Sequence, residues 1–181
     1  MSRSLWVYGC RFSSKRLVER WRPETHPFHF PIGEATVTLQ DVAIIWGLPI
    51  DGDAVVSNDL RRTMSQWADY VHQYLGFIPN LEVDFRNKSA ILITTMCNHF
   101  EGIEIGNDTL RLQVEQYARG CALILLGILM ISDTTGNSVS LLYLQHFEDV
   151  RTAGRFSWAS VVLSFLYRQL CAMLLRHRST L

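Results

Sequence analysis

The polar side chains between Trp21 and Asp41 form the densest group in the chain that could do chemistry. The candidates, which combine two histidines with three acidic residues, are Trp21, Arg22, Glu24, His26, His29, Glu34 and Asp41. Histidine and glutamate are common general acids and bases, so His26 with Glu24 and Glu34 is a candidate hydrolase site. The alternative, which we favour, is that these groups satisfy backbone atoms around a hairpin and the start of a helix.

The residue spacing gives little support for a metal site or for a nucleophilic Cys/His pair. Pro27 and the flanking phenylalanines predict an extended segment, in which His26 and His29 point to opposite faces and cannot easily share a metal ion. Cys97 and His99 lie two positions apart, a spacing that turns side chains in different directions on a helix. The chain has no GxSxG, GxGxxG or GxxxxGK[ST] motif. We therefore predict no catalytic residue, no metal and no cofactor.

A basic stretch near the N-terminus is the best candidate for nucleic-acid binding. It consists of Arg11, Lys15, Arg16, Arg20 and Arg22. Phosphate contacts need a net basic face, but Glu19 and Glu24 interrupt this one and the formal net charge of the chain is +0. We expect a solvated helix face, and nucleic-acid binding is the weaker alternative.

Length and composition indicate one globular domain. The chain has 181 residues, of which 48% are hydrophobic and 19% charged. Its four cysteines are dispersed without a CxxC pair, which predicts reduced thiols. The apolar run 121–131 is too short to span a bilayer and the run 158–167 is stopped by Arg168. We expect no secretory signal and no membrane association.

Capping and turn signals predict the elements that position the polar segment. Pro23 ends a short helix that begins at Ser13 or Ser14, and strands at 28–30 and 35–37 form a hairpin around a turn at 31–34. Thr38 begins a helix, with Asp41 placed for a capping box, and Gly47 ends it. A short strand is expected at 54–56.

The rest of the chain is predicted to be mainly helical. Helices are expected at 59–75, capped by Asn58 or Ser57, at 87–100, at 108–132 and at 158–176, while 140–147 is ambiguous. The predicted fold class is a mostly α, single-domain protein with a small N-terminal β-hairpin element (α+β).

The run LVERWRPETHPFHFPIGEATVTLQDVAIIWGLPIDG, residues 17–52, closely resembles the plant mobile domain. This is the aminotransferase-like plant mobile domain of the MAINTENANCE OF MERISTEMS-like family. The stretches QYARGCALILLGILMISDTTGNSV at 116–139 and GRFSWASVVLSFLYRQL at 154–170 agree with it, so the resemblance covers nearly the whole chain. Pro27 and Thr95-Met96 depart from the family pattern. The chain stops at Leu181, where family domains continue, which implies a C-terminally truncated copy.

The resemblance implies a nuclear, transposon-derived factor in transposon silencing, genome stability and meristem maintenance. The implied partners are a phosphatase-7-like serine/threonine phosphatase and chromatin-associated proteins. The aminotransferase label is not supported, because Lys15 and Lys88 are the only lysines and no glycine-rich phosphate loop is present. We therefore predict a non-catalytic nuclear interaction module, whose motif segment is both folding nucleus and partner surface. The alternatives are a nucleic-acid-binding domain, a hydrolase or a non-functional truncated copy.

Overall fold

The computed structural model describes residues 4–7, 10–56, 62–130 and 137–178, with side chains from 16 to 128 and from 137 to 176 within these ranges. The chain falls into two compact units, one formed by Met1–Ile50 with Ser157–Leu181 and the other by Asp51–Phe156. The predicted class, a mostly helical α+β fold, is confirmed. The single-domain organisation stays a prediction.

The first unit combines two hairpins with three helices. Its elements are β1 (Ser4–Val7), β2 (Cys10–Ser13), α1 (Ser14–Val18), β3 (Phe28–Phe30), β4 (Gly33–Ala35), α2 (Leu39–Trp46) and α6 (Trp158–Arg178). The β1–β2 hairpin was not predicted, and α1 ends before the expected residue Trp21. Helix α2 packs against α6. The core of this unit is Trp21, Phe28 and Leu174, against which the half-buried Tyr167 and Leu170 pack.

The β3–β4 hairpin has a tighter turn than predicted. His29 lies opposite Glu34 and Phe30 opposite Gly33, so the return strand begins at Gly33 instead of at Ala35. Gly33 has a φ of 140°, a conformation that a residue with a Cβ rarely adopts. This glycine lets the chain reverse over Pro31 and Ile32 alone, and the strand predicted at 35–37 is therefore wrong by two positions.

The second unit surrounds a three-stranded antiparallel sheet in the order β5-β6-β7. Its elements are α3 (Met64–Leu75), β5 (Phe85–Asn87), β6 (Ala90–Leu92), α4 (Ile93–Phe100), α5 (Arg111–Leu125), a π-helical extension (Leu126–Met130), β7 (Ser138–Ser140) and 3₁₀ helices at Leu141–Phe147 and Ala153–Arg155. The most deeply buried side chains include Trp67, Leu75, Ile91, Met96, Leu123 and Leu144.

Four sequence predictions in this unit are corrected. The helix predicted at 87–100 is a hairpin followed by α4, because Asn87 accepts a hydrogen bond from the Ser89 N–H in a turn and 90–92 then pair with β7. Helix α5 begins at Arg111, since Thr109 closes a turn with Gly106 ahead of it. At 54–56 no strand forms. Helix α3 begins after Thr63 in a capping box with Gln66, and the predicted caps at 57 and 58 lie outside the described residues.

By length and hydropathy, one described helix, at Trp158–Arg176, could cross a membrane, and 28% of that segment is buried. A single helix of this kind is weak evidence for a span, because core helices of soluble proteins pass the same test.

Candidate functional site

Trp21 anchors the motif segment in the core of the first unit. Its side chain is 0% exposed. The indole Nε1–H donates to the Cys171 Sγ at 3.3 Å, and the ring meets Phe28 edge-on with centroids 5.0 Å apart. Trp21 was predicted as part of a partner surface, and this is wrong because nothing of the ring is accessible. The burial instead accounts for the tryptophan at this position of the motif.

The segment after Trp21 is a closed loop that presents His26. The Arg22 N–H donates to the Pro27 carbonyl at 2.9 Å and the His26 N–H donates to the Arg22 carbonyl at 2.8 Å. His26 has a φ of 59°, a left-handed conformation that is uncommon outside glycine and occurs chiefly for Asn, Asp and His. Glu24 and Arg22 lie exposed on this loop, and among the described residues neither side chain makes a hydrogen bond or ion pair.

A ring stack and a hydrogen bond to its carbonyl hold His26 in place. Its ring stacks on Tyr167 with centroids 4.8 Å apart and planes 13° apart. The Thr36 hydroxyl donates to the His26 carbonyl at 2.5 Å, while the Tyr167 hydroxyl donates to the Val37 carbonyl at 2.7 Å. These contacts attach the loop that carries His26, and the residues that follow the β3–β4 hairpin, to α6.

His29 and Glu34 form a separate pair across the hairpin. The His29 Nδ1 lies 3.0 Å from the Glu34 Oε1, and both side chains are more than half exposed. The Arg20 guanidinium donates to the His29 carbonyl at 3.1 Å, tying the chain after α1 to the same strand. Within the described part of the chain, no hydrogen bond joins Glu24, His26 and Glu34. His26 instead stacks on Tyr167, while Glu34 pairs with His29.

Asp41 completes the predicted capping box of α2. Its carboxylate accepts from the Thr38 N–H at 2.8 Å and from the Thr38 hydroxyl at 2.6 Å, and the Asp41 N–H donates to the Thr38 Oγ1 at 3.3 Å. The Thr38 side-chain hydrogen bond is the main cause that lowers the pKa of Asp41 from its ordinary value of 3.8. Asp41 is thus occupied with the helix start.

A second polar centre, missed by the sequence analysis, surrounds Arg119 in the second unit. Arg119 is 4% exposed. It donates to the Phe147 carbonyl at 2.8 Å, the Glu148 carbonyl at 2.9 Å and the Glu115 Oε2 at 3.1 Å. Glu148 also accepts a short hydrogen bond from the Tyr70 hydroxyl. Only the Glu115/Arg119 spacing was visible in the sequence, because the other partners are distant along the chain.

The second unit also contains a pocket of about 330 Å³. Its lining includes the aromatic residues His99, Phe100 and Tyr117 and the polar residues Gln116 and Glu104. Burial lowers the pKa of His99. In the sequence, His99 stood out only as a possible partner of Cys97, and no pattern indicated that α4 and α5 lie side by side.

Comparisons with known proteins decide the family. The sequence matches the family model described as Plant mobile domain over residues 14–181. The chain belongs to the plant mobile domain family. It is 38% identical over 165 residues to Protein MAIN-LIKE 2 of Arabidopsis thaliana, which covers 91% of the chain and 24% of that relative. No solved structure matches it significantly.

Two further relatives come from the same plant. The Arabidopsis thaliana serine/threonine-protein phosphatase 7 long form homolog is 37% identical over 91% of the chain, a match that covers 12% of that relative. Protein MAINTENANCE OF MERISTEMS is 33% identical over 85% of the chain and 31% of that relative. This plant mobile domain chain spans less than a third of the length of these relatives.

The predicted nucleic-acid residues of this plant mobile domain do not all present free charge. Arg16 and Arg22 are exposed. Arg20 is half-buried, and its guanidinium bonds the His29 carbonyl and lies 5.8 Å from the Phe30 ring centroid. The side chains of Arg11 and Lys15 lie outside the described residues. In the same described ranges, no group of three His, Cys, Asp or Glu residues is placed to hold a metal ion.

Helix α2 of the plant mobile domain exposes three consecutive apolar side chains in its last turn, although its residue Val42 is buried. Ile44 is 82% exposed, Ile45 72% and Trp46 40%. We call Ile44, Ile45 and Trp46 the α2 apolar face.

The capping box gives a testable pH dependence. Thr38→Ala should lower the free energy of unfolding by about 1 kcal/mol at neutral pH, because it removes the N-cap hydroxyl. The pKa of Asp41 is lowered in the folded state, so its contribution is present above 3.8 and is lost as pH falls through the folded-state pKa. Urea unfolding of both proteins across this acidic range should show the difference shrinking. A constant difference would contradict the capping-box account.

Proposed function

We propose that this plant mobile domain is a non-catalytic interaction module that acts in the nucleus, in transposon silencing, genome stability and meristem maintenance. The observation that carries the proposal is that four polar side chains of the motif contact other parts of the fold, whereas Arg22 and Glu24 are exposed and make no such contact among the described residues. His26, His29 with Glu34, and Asp41 each make contacts that hold the loop, the hairpin or the helix. A segment whose polar groups are used in this way supports positioning of a surface better than it supports chemistry. The relative named MAINTENANCE OF MERISTEMS supports the developmental part.

We assign the binding role to the α2 apolar face. Exposed isoleucines beside a tryptophan are typical of the apolar centre of a protein interface, where burial from water supplies the driving force. The capping box at one end of α2 and the packing of the helix on α6 hold this face in a fixed conformation. A preformed face binds with a smaller loss of conformational entropy than a flexible one.

The proposed partner is a phosphatase-7-like serine/threonine phosphatase. A relative that carries this name contains a segment 37% identical to the chain, and this match occupies 12% of its length. In that relative, a segment similar to the plant mobile domain and a protein of the phosphatase type share one chain. This supports an association between a plant mobile domain and such a phosphatase when the two are separate chains.

Binding of a purified phosphatase-7-like protein to the chain, measured by biolayer interferometry, tests the proposal. The double variant Ile44→Asp/Ile45→Asp should bind at least tenfold more weakly, because it places two charges in the proposed interface. Its thermal midpoint should stay close to that of the wild type. Ile78→Asp is the matched control, since Ile78 is 76% exposed in the other unit. Absence of wild-type binding, or equal binding by the double variant, would contradict the proposal.

A further inference from the structure

We propose that the pocket between α4 and α5 binds a methylated ammonium group, carried either by a free quaternary amine or by a methylated lysine side chain. The proposal does not rest on the proposed function, because the pocket lies in the second unit. Three observations carry it, namely the arrangement of the rings, the charge of the lining and the rigidity of the walls.

The rings form adjoining walls at steep angles. Phe100 and Tyr117 meet at 87° with centroids 5.7 Å apart, and His99 and Phe100 meet at 74° with centroids 4.8 Å apart. His99 is backed by Phe77, which stacks on it at 4.4 Å. Phe100 is 7% exposed, so the accessible ring surface of the pocket comes mainly from the half-buried Tyr117 and His99. A cation close to the face of a tyrosine ring is attracted by that ring, which favours an ammonium group beside Tyr117.

The lining carries charge of one sign. Glu104 is the acidic residue of the lining, which contains no lysine or arginine. Among the described residues, Glu104 has no ion-pair partner. The buried setting of His99 lowers its pKa and so favours the neutral imidazole. Glu104 would repel an anionic ligand, whereas a cation is attracted by both the carboxylate and the rings.

The walls are fixed by close packing. A Cβ added to Gly120 would lie 2.1 Å from the Phe100 ring, so this glycine is what lets the ring lie against α5. Gln116 donates from its Nε2 to the Gln73 carbonyl at 3.3 Å. The volume of about 330 Å³ lies near the lower end for small-ligand pockets and suits a compact head group.

The test uses choline as the probe and 3,3-dimethylbutan-1-ol as its neutral isostere, both titrated into the full chain and followed by NMR chemical shifts. Choline should shift resonances of the pocket residues, and the neutral isostere should bind at least tenfold more weakly. A trimethyl-lysine peptide and its unmethylated counterpart form the second arm. Tighter binding of the methylated peptide than of choline would assign the ligand to a protein side chain, and the reverse would assign it to a free amine.

Variants connect the binding to the pocket. Tyr117→Leu keeps an apolar wall but removes a ring, and should weaken choline binding by about 3- to 30-fold. Glu104→Gln should weaken it by up to about fivefold, while the exposed Glu101→Gln outside the pocket should change nothing. Amide spectra of each variant report whether it remains folded. Failure of both choline and the methylated peptide to bind at millimolar concentration, or equal binding of the neutral isostere, would overturn the proposal.

Discussion

Replacing Arg119 with methionine is expected to lower the free energy of unfolding by about 2–5 kcal/mol. Methionine keeps much of the apolar volume but removes every donor of the guanidinium. The Phe147 carbonyl, which accepts from Arg119 at 2.8 Å, would then lose that partner in a buried site, and the Glu148 carbonyl, which accepts at 2.9 Å, would lose it in a partly buried one. The 3₁₀ segment that ends at Phe147 would lose its main attachment to α5.

Urea unfolding monitored by tryptophan fluorescence measures this effect. Arg111→Met is the matched control, because Arg111 binds the same Glu115 at 3.0 Å but is 76% exposed. Exposed pairs of this kind contribute at most about 1 kcal/mol. Arg119→Lys should also be destabilised, since an ammonium cannot reach several carbonyls at once. Equal midpoints for Arg119→Met and Arg111→Met would show that the network around Arg119 is not structural.

Truncation of Trp21 to alanine is expected to cost about 3–5 kcal/mol. The change removes the largest side chain of the first unit's core and leaves a cavity between Phe28, Leu174 and the half-buried Tyr167. It also removes the donor to the Cys171 Sγ. Because His26 stacks on Tyr167, loss of this packing should loosen the motif loop as well.

Thermal unfolding by circular dichroism and amide hydrogen exchange test this prediction together. Trp21→Phe should lose less stability than Trp21→Ala, since it refills part of the cavity. Exchange should accelerate at the His26 and His29 N–H groups, which bond to the Arg22 and Arg20 carbonyls. A Trp21→Ala protein with the wild-type midpoint would mean that this side chain does not anchor the motif segment.

Local signals in the sequence predicted the parts of the fold that depend on neighbouring residues. Thr38, Asp41 and Gly47 gave the start and end of α2, and the β3–β4 hairpin followed from its turn residues, apart from the two-position error at Gly33. Pairing between distant segments was not predictable in this way. The apolar, β-branched run at 87–100 looked helical because its partner strand, Ser138–Ser140, is remote in sequence.

In the candidate sites too, features that depend on neighbouring residues were predictable, whereas contacts between distant segments were not. The sequence identified the polar residues of the motif but could not tell that Trp21 is enclosed or that His26 faces Tyr167, since both depend on α6. Arg119 sits one helical turn after Glu115, yet its carbonyl partners lie about thirty positions away. The pocket between α4 and α5 had no motif at all, because its rings come from separate helices.

We assign recognition of the partner to the α2 apolar face, and we expect the exposed carboxylates of the motif to take no part in it. The measurement that tests this assignment most directly is the affinity of the double variant Glu24→Gln/Glu34→Gln for a phosphatase-7-like protein, beside its thermal midpoint. Both carboxylates are exposed, so their loss should leave the fold intact and the affinity within about threefold of wild type. A folded variant that loses tenfold or more in affinity would assign recognition to those carboxylates and contradict the account.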